Sequence, residues 1–126
     1  MKFYQYVDIA QSLIDKPNSP HKHFSFIIYK NRIRAIGWNN KKKTHSLLYN
    51  HGYDYPFIHS EASAIIRFDG RPQELSHCSI VNIRLGIDGQ LMNSRPCKNC
   101  TRLLKTFNFK KIYYTNKYGQ FVLMEK

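Results

Sequence analysis

Apolar side chains recur at helical spacing at the start of the chain: Phe3, Tyr6, Val7, Ala10, Leu13 and Ile14 share one face of a helix expected over residues 3–15, which Pro17 closes. From residue 24 the period changes. Phe24 to Tyr29 is a nearly continuous apolar run, as in a buried strand; Lys30-Asn31 supplies a tight turn, and Ile33 to Trp38 returns as the second arm of a hairpin. His59 to Phe68 reads as a second helix with Ala62, Ile65 and Ile66 on its core face and Gly70 beyond its end. Cys78 to Leu85 alternates Val81, Ile83 and Leu85 with Asn82 and Arg84, the period of a strand, and Asp88-Gly89 is a hairpin signal that turns the chain back through Gln90-Leu91-Met92. Pro96 and Cys97 open a third helix, with Cys100, Leu103, Leu104 and Phe107 along its inner face. Two more strands, Lys111 to Thr115 and Gln120 to Met124, are joined by about four residues with a glycine. So short a link joins antiparallel neighbours, since a parallel crossover takes about a dozen residues or more.

At 126 residues the chain is expected to fold as one domain, 1–126. Its first residues lack the apolar core of a signal peptide, and no run approaches the roughly 18 apolar residues of a membrane helix. A soluble, cytoplasmic protein with no membrane partner is the expectation. Charge sharpens this picture. Lys and Arg number 20 against eight Asp and Glu, and no acid occurs between Asp15 and Asp54 or between Asp88 and Glu125. A surface of this kind attracts polyanions, because each phosphate neutralised releases condensed counterions.

Residues 40–58 form a long connection in which Lys41, Lys42 and Lys43 precede Tyr49, Tyr53 and Tyr55. Cations that follow a phosphate backbone, interleaved with rings that stack on bases, are what single-stranded nucleic acid requires. Lys41, Lys42, Lys43, Tyr53 and Tyr55 are therefore the expected nucleic-acid contacts.

Two short stretches carry chemistry, His59-Ser60-Glu61 and Pro96-Cys97-Lys98-Asn99-Cys100. One imidazole and two thiolates make three of the four ligands of a tetrahedral zinc, leaving a position for a reacting water. Both helix starts would face the ion, and their partial positive charge favours the thiolates. Glu61, two residues from His59, can lean over that water as the proton carrier. A purely structural zinc would need a fourth protein ligand, and Cys78 lies in a strand pattern that suits an inert core thiol. His45 and His51 are not needed as ligands.

H-x-E followed by P-C-x-x-C resembles the signature of the cytidine deaminase superfamily of zinc-dependent nucleobase deaminases. The resemblance implies an α/β fold with three α/β/α layers around a mixed five-stranded sheet, and the antiparallel last strand looks like the branch of free-cytidine and blasticidin deaminases. It implies Zn2+ held by His59, Cys97 and Cys100, catalysis by Glu61, and a substrate contact from Asn39 at the end of the second strand. Trp38, Ser60, His45 and Arg95 are expected around the same substrate. The reaction implied is hydrolytic deamination of cytosine to uracil, an attack on an amidine C–N bond. The basic surface places that cytosine in single-stranded DNA or RNA; the alternatives are free cytidine, deoxycytidine or their monophosphates, and adenine in nucleic acid. Two features depart from the family's subgroups: Arg95 precedes Pro96 where many polynucleotide deaminases have serine, and His59 stands where free-cytidine deaminases usually have a third cysteine.

Overall fold

The first hairpin turns on Lys30 and Asn31, both at positive φ (49° and 64°), the conformation that matches the twist of two-residue hairpins. The computed structural model describes residues 2–40 and 58–125. Helix α1 (Phe3–Ser12) leads into β1 (Lys22–Tyr29) and β2 (Arg32–Trp38). Then follow α2 (Ser60–Arg67), a 3-10 helix (Pro72–His77), β3 (Ser79–Leu85), β4 (Leu91–Met92), α3 (Lys98–Thr106), β5 (Lys111–Thr115) and β6 (Phe121–Leu123). Among the described residues no helix is long and apolar enough to cross a membrane.

The sheet runs β2-β1-β3-β5-β6, with β4 paired to β3. Among the described strands only β3 and β5 pair in parallel; β6 returns antiparallel to β5, as the short Asn116–Gln120 link requires. The five strands expected are joined by a sixth, because the Asp88-Gly89 turn, with Gly89 at φ +80°, folds Leu91 and Met92 back onto Leu85 and Arg84. Helix α1 stops at Ser12, short of the expected residue 15, where the amide of Leu13 bonds to the carbonyls of both Ile9 and Ala10.

Two apolar layers sandwich the sheet. On one face Tyr6 and Ala10 of α1 pack on Phe24, Phe26, Ile28, Val81, Ile83 and Leu85. On the other, Ala64 of α2 and Leu104 of α3 meet Ile27, Ala35, Ile80 and Ile112. Helix α2 approaches its sheet closely because residue 37 is glycine: a Cβ there would run into the backbone nitrogen of Ala64 and the carbonyl oxygen of Ser60. The contact also decides which face of α2 is buried. The small residues Ser60, Ser63 and Ala64 sit against the sheet, and Ile66, expected in the core, is 38% exposed.

Candidate active site

An antiparallel bridge between Asn40 and Ile58 (N–H to O distances of 3.0 and 3.3 Å) delivers the chain from the end of β2 to the start of α2. His59 is the N-cap of α2, and Cys97 is the N-cap of α3, where its Sγ accepts the amide of Cys100 at 3.4 Å. The two helix starts converge. His59 Nδ1 lies 3.6 Å from Cys97 Sγ and 3.2 Å from Cys100 Sγ, and the three donor atoms fall within 4.8 Å of one another. Ligands at zinc bond lengths around a tetrahedral ion are separated by about 3.5 Å for N and S, which the two His59 distances match. Cys78, the remaining cysteine, is buried in the core under Leu75 and Phe109, away from this group.

Cys97 is charged as a metal ligand must be, whereas the proton that His59 holds has to leave when a metal binds. The Cys100 thiol, the His59 imidazole and the Cys100 amide hydrogen-bond to Cys97 and outweigh burial, bringing its pKa down to about 4. Burial alone would discharge His59, but its bond to Cys97 and the negative charges of Glu61 and Cys97 leave its pKa above the usual value.

Glu61 occupies the first turn of α2 and is 6% exposed. Asn82 Nδ2 donates to its Oε2 at 3.0 Å and Ser60 Oγ donates to its Oε1 at 3.1 Å. Ser25 Oγ in turn donates to Asn82 Oδ1 at 2.7 Å and lies 2.8 Å from Ser60 Oγ. Burial pushes Glu61 above the usual carboxylate range, against the opposing pull of the His59 charge and the Ser60 hydroxyl. Ser60 has one proton for two neighbours. When the carboxyl is ionised that proton goes to Glu61; when it is protonated, Glu61 can donate to Ser60 and Ser60 to Ser25. The ring of four side chains thus accepts either state of the acid with no buried polar group stranded.

The sheet register explains this placement. On the face under α2 and α3, β1 and β3 set Ile27 beside Ile80, then Ser25 beside Asn82, then His23 beside Arg84. The rungs grade from apolar core, through the carboxylate network, to the wall of an open cleft of about 500 Å³. His59, Ser60, Glu61 and Cys97 line that cleft with His21, His23, Asn39, Arg84, Ser94 and Arg95. His23 is held neutral: burial first, then the charges of Arg84, His59 and His21, with Cys97 opposing, push its pKa down to about 4.

Of the residues expected around the substrate, Ser60, Asn39 and Arg95 reach the cleft. Both ends of the Asn39 amide are engaged, its Oδ1 by the amide of His23 (3.0 Å) and its Nδ2 by the carbonyl of His21 (2.8 Å), so Asn39 also fastens the start of β1 to the end of β2. Arg95 lies over the Tyr114 ring and donates to its hydroxyl at 3.1 Å. Trp38 does not line the cleft; it packs against the α1-side core, with the Arg67 guanidinium 4.1 Å from its ring centre. His45, Lys41, Lys42, Lys43, Tyr53 and Tyr55 lie outside the described residues. The sequence reading did not single out Ser25, Asn82, His23, His21 or Arg84 as site residues. The signal was the alternation of His23-Ser25 and Asn82-Arg84 within otherwise apolar strands.

No curated protein matches the chain. Among solved structures, a cytidine deaminase from Burkholderia pseudomallei superposes with a TM-score of 0.65 at 14% identity, covering 99% of this chain and 93% of its own. A dCMP deaminase from the cyanophage S-TIM5, in complex with dCMP and dUMP, superposes with a TM-score of 0.58 at 20% identity, covering 92% of this chain and 84% of its own. At these identities the likeness is one of fold. The family itself is established by the chain's match over residues 2–116 to the cytidine and deoxycytidylate deaminase zinc-binding region, and the protein belongs to that family of zinc-binding deaminases.

Proposed function

We propose that the protein hydrolyses the exocyclic amine of cytosine in a free nucleoside or nucleotide, with Glu61 as proton carrier and His59, Cys97 and Cys100 as the zinc ligands. The observation that carries this reading is the buried Glu61 carboxyl at the cleft wall, beside three donor atoms clustered within 4.8 Å. Zinc bound by those donors would supply the Lewis acidity that makes water a nucleophile near neutral pH. Water adds at C4 of the ring and ammonia departs, so a C–O bond forms as a C–N bond breaks. Glu61 takes one proton from the attacking water and gives it to the adjacent ring nitrogen. It then takes the second from the new C4 hydroxyl and gives it to the amine, which leaves as ammonia while the C4 oxygen becomes the carbonyl. Asn82 and Ser60 hold the carboxyl in place through both transfers. Support for a free substrate comes from the named activities of the two structural neighbours, a cytidine deaminase and a dCMP deaminase.

A second reading, cytosine in single-stranded nucleic acid, is favoured by the net charge of +12. The two are separated by offering zinc-loaded protein deoxycytidine, dCMP, a single-stranded oligodeoxynucleotide and RNA in parallel. Uracil formation from the free substrates, insensitive to salt, supports the first reading. Uracil formed only in the polymers, with a steep salt dependence, replaces it with the second, and no uracil from any of them refutes both.

A further inference from the structure

Arg84 is anomalous among the described residues. It is half-buried in the cleft wall, its Nε is enclosed with no hydrogen-bond partner, and it takes part in none of the ion pairs, which involve Arg34 and Arg71. A permanent cation withdrawn from water without a counter-charge is costly unless something else satisfies it. Among the described residues nothing on its own side of the cleft does. The cross-strand neighbour His23 is neutral or cationic, Arg95 repeats the positive sign, and Glu61 is engaged by Asn82 and Ser60.

The one side-chain bond that Arg84 makes among the described residues organises a second donor. Its Nη2 lies 2.8 Å from His21 Nδ1. Arginine has no acceptor, so Nδ1 must accept and the ring proton resides on Nε2, which makes exposed His21 an N–H donor at the cleft rim. Position along β3 completes the argument. Arg84 is two residues beyond Asn82 on the same face, about 7 Å further along the strand from the residue that holds Glu61. That is far enough to clear a base held at Glu61 and to meet the group the base carries on its sugar.

We infer that Arg84 and His21 form a phosphate subsite of the deaminase cleft, so that the protein acts on cytosine carrying a sugar phosphate in preference to the bare nucleoside. The inference rests on the deaminase reading for its reaction, but phosphate binding can be measured without turnover. Arg84 takes phosphate oxygens through its Nη nitrogens, in the charge-assisted manner that guanidinium allows, while the enclosed Nε stays behind them, and His21 closes on a further oxygen.

The test combines binding and kinetics on zinc-loaded wild type, Arg84→Gln and Arg84→Lys, each checked for folding by thermal melt. By calorimetry, wild type should bind dUMP at least tenfold more tightly than deoxyuridine, and Arg84→Gln should erase the difference while Arg84→Lys restores part of it. In turnover, the ratio of kcat/KM for dCMP to that for deoxycytidine should fall at least tenfold in Arg84→Gln, mostly through KM. An oligonucleotide arm identifies the source: a larger loss on dCMP assigns the site to a free monoester, and a larger loss on the oligonucleotide to a backbone diester. Equal affinity of wild type for dUMP and deoxyuridine, or a dUMP affinity unchanged in Arg84→Gln, overturns the subsite. Loss of dUMP binding in Arg84→Gln without turnover of any substrate by wild type would uphold the subsite and refute the deaminase reading instead.

Discussion

Strands β1 and β3 present two faces with opposite tasks. Toward α1 they offer Phe24, Phe26, Ile28, Val81, Ile83 and Leu85, an apolar stretch bounded by Lys22 and Ser79 at the strand ends. Toward α2 and α3 the same strands offer Ile27 and Ile80, then Ser25 and Asn82, then His23 and Arg84. The hydrogen-bonded ladder is common to both, so the difference lies in side chains alone. One face contributes burial; the other grades within three rungs from burial to chemistry, and it does so where the helix starts bring His59, Glu61 and Cys97 over its polar end. A substitution on the first face should cost stability and spare the chemistry of whatever remains folded, and one at the polar end of the second should cost less stability but impair the chemistry.

The sharpest break is expected at the helix starts. Cys100→Ser should abolish deamination and lower zinc content well below one ion per chain, with a loss of stability, because a hydroxyl at this buried position is a poor substitute for thiolate. Zinc analysis and turnover on one sample decide it, and stoichiometric zinc in the variant would break the ligand assignment. Phe26→Ala, on the α1 face, should cost about 3–5 kcal/mol in urea unfolding yet leave zinc content and the turnover per folded molecule within about twofold of wild type at low temperature. A catalytic defect as large as its stability defect would erase the distinction between faces.

His23 sharpens the comparison through pH. Its pKa is about 4 when folded, against 6.5 for an ordinary imidazole, so between those values the unfolded chain binds a proton that the folded protein excludes. The contribution to stability is whole above pH 6.5 and is lost as pH falls toward 4, by up to about 3 kcal/mol. Chemical denaturation of wild type and His23→Gln from pH 7 to pH 4 should show the wild type losing more; parallel curves would count against a buried neutral His23. The smallest effect belongs to Ser25→Ala, which leaves Asn82 Oδ1 without its donor. It should cost roughly 1–2 kcal/mol and slow turnover roughly tenfold, the scale of a group that supports a metal site from behind.

Periodicity and spacing made the two helix starts, the hairpin and the antiparallel last strand legible, and β5 was bounded to the residue, Lys111–Thr115. The zinc donors were legible because their types and spacing admit few other chemistries. Asn82 and Ser25 were not, since a polar residue alternating with apolar ones reads as facing solvent; both are buried because α2 ends its first turn directly above them. The inner face of α2 was misread for a related reason. Hydrophobicity favoured Ile66, whereas the close approach at Gly37 admits only small side chains against the sheet.

The central claim is that Glu61, buried beside the zinc donors, carries the proton in a hydrolytic deamination. The most direct measurement is turnover of a cytosine substrate by Glu61→Gln, with zinc content and unfolding midpoint determined on the same preparation. Glutamine preserves the shape and can still accept from Asn82, so zinc and fold should stay near wild type while turnover falls by about two to four orders of magnitude, the scale of a lost general acid and base. Wild-type turnover in a zinc-replete Glu61→Gln protein would contradict the account.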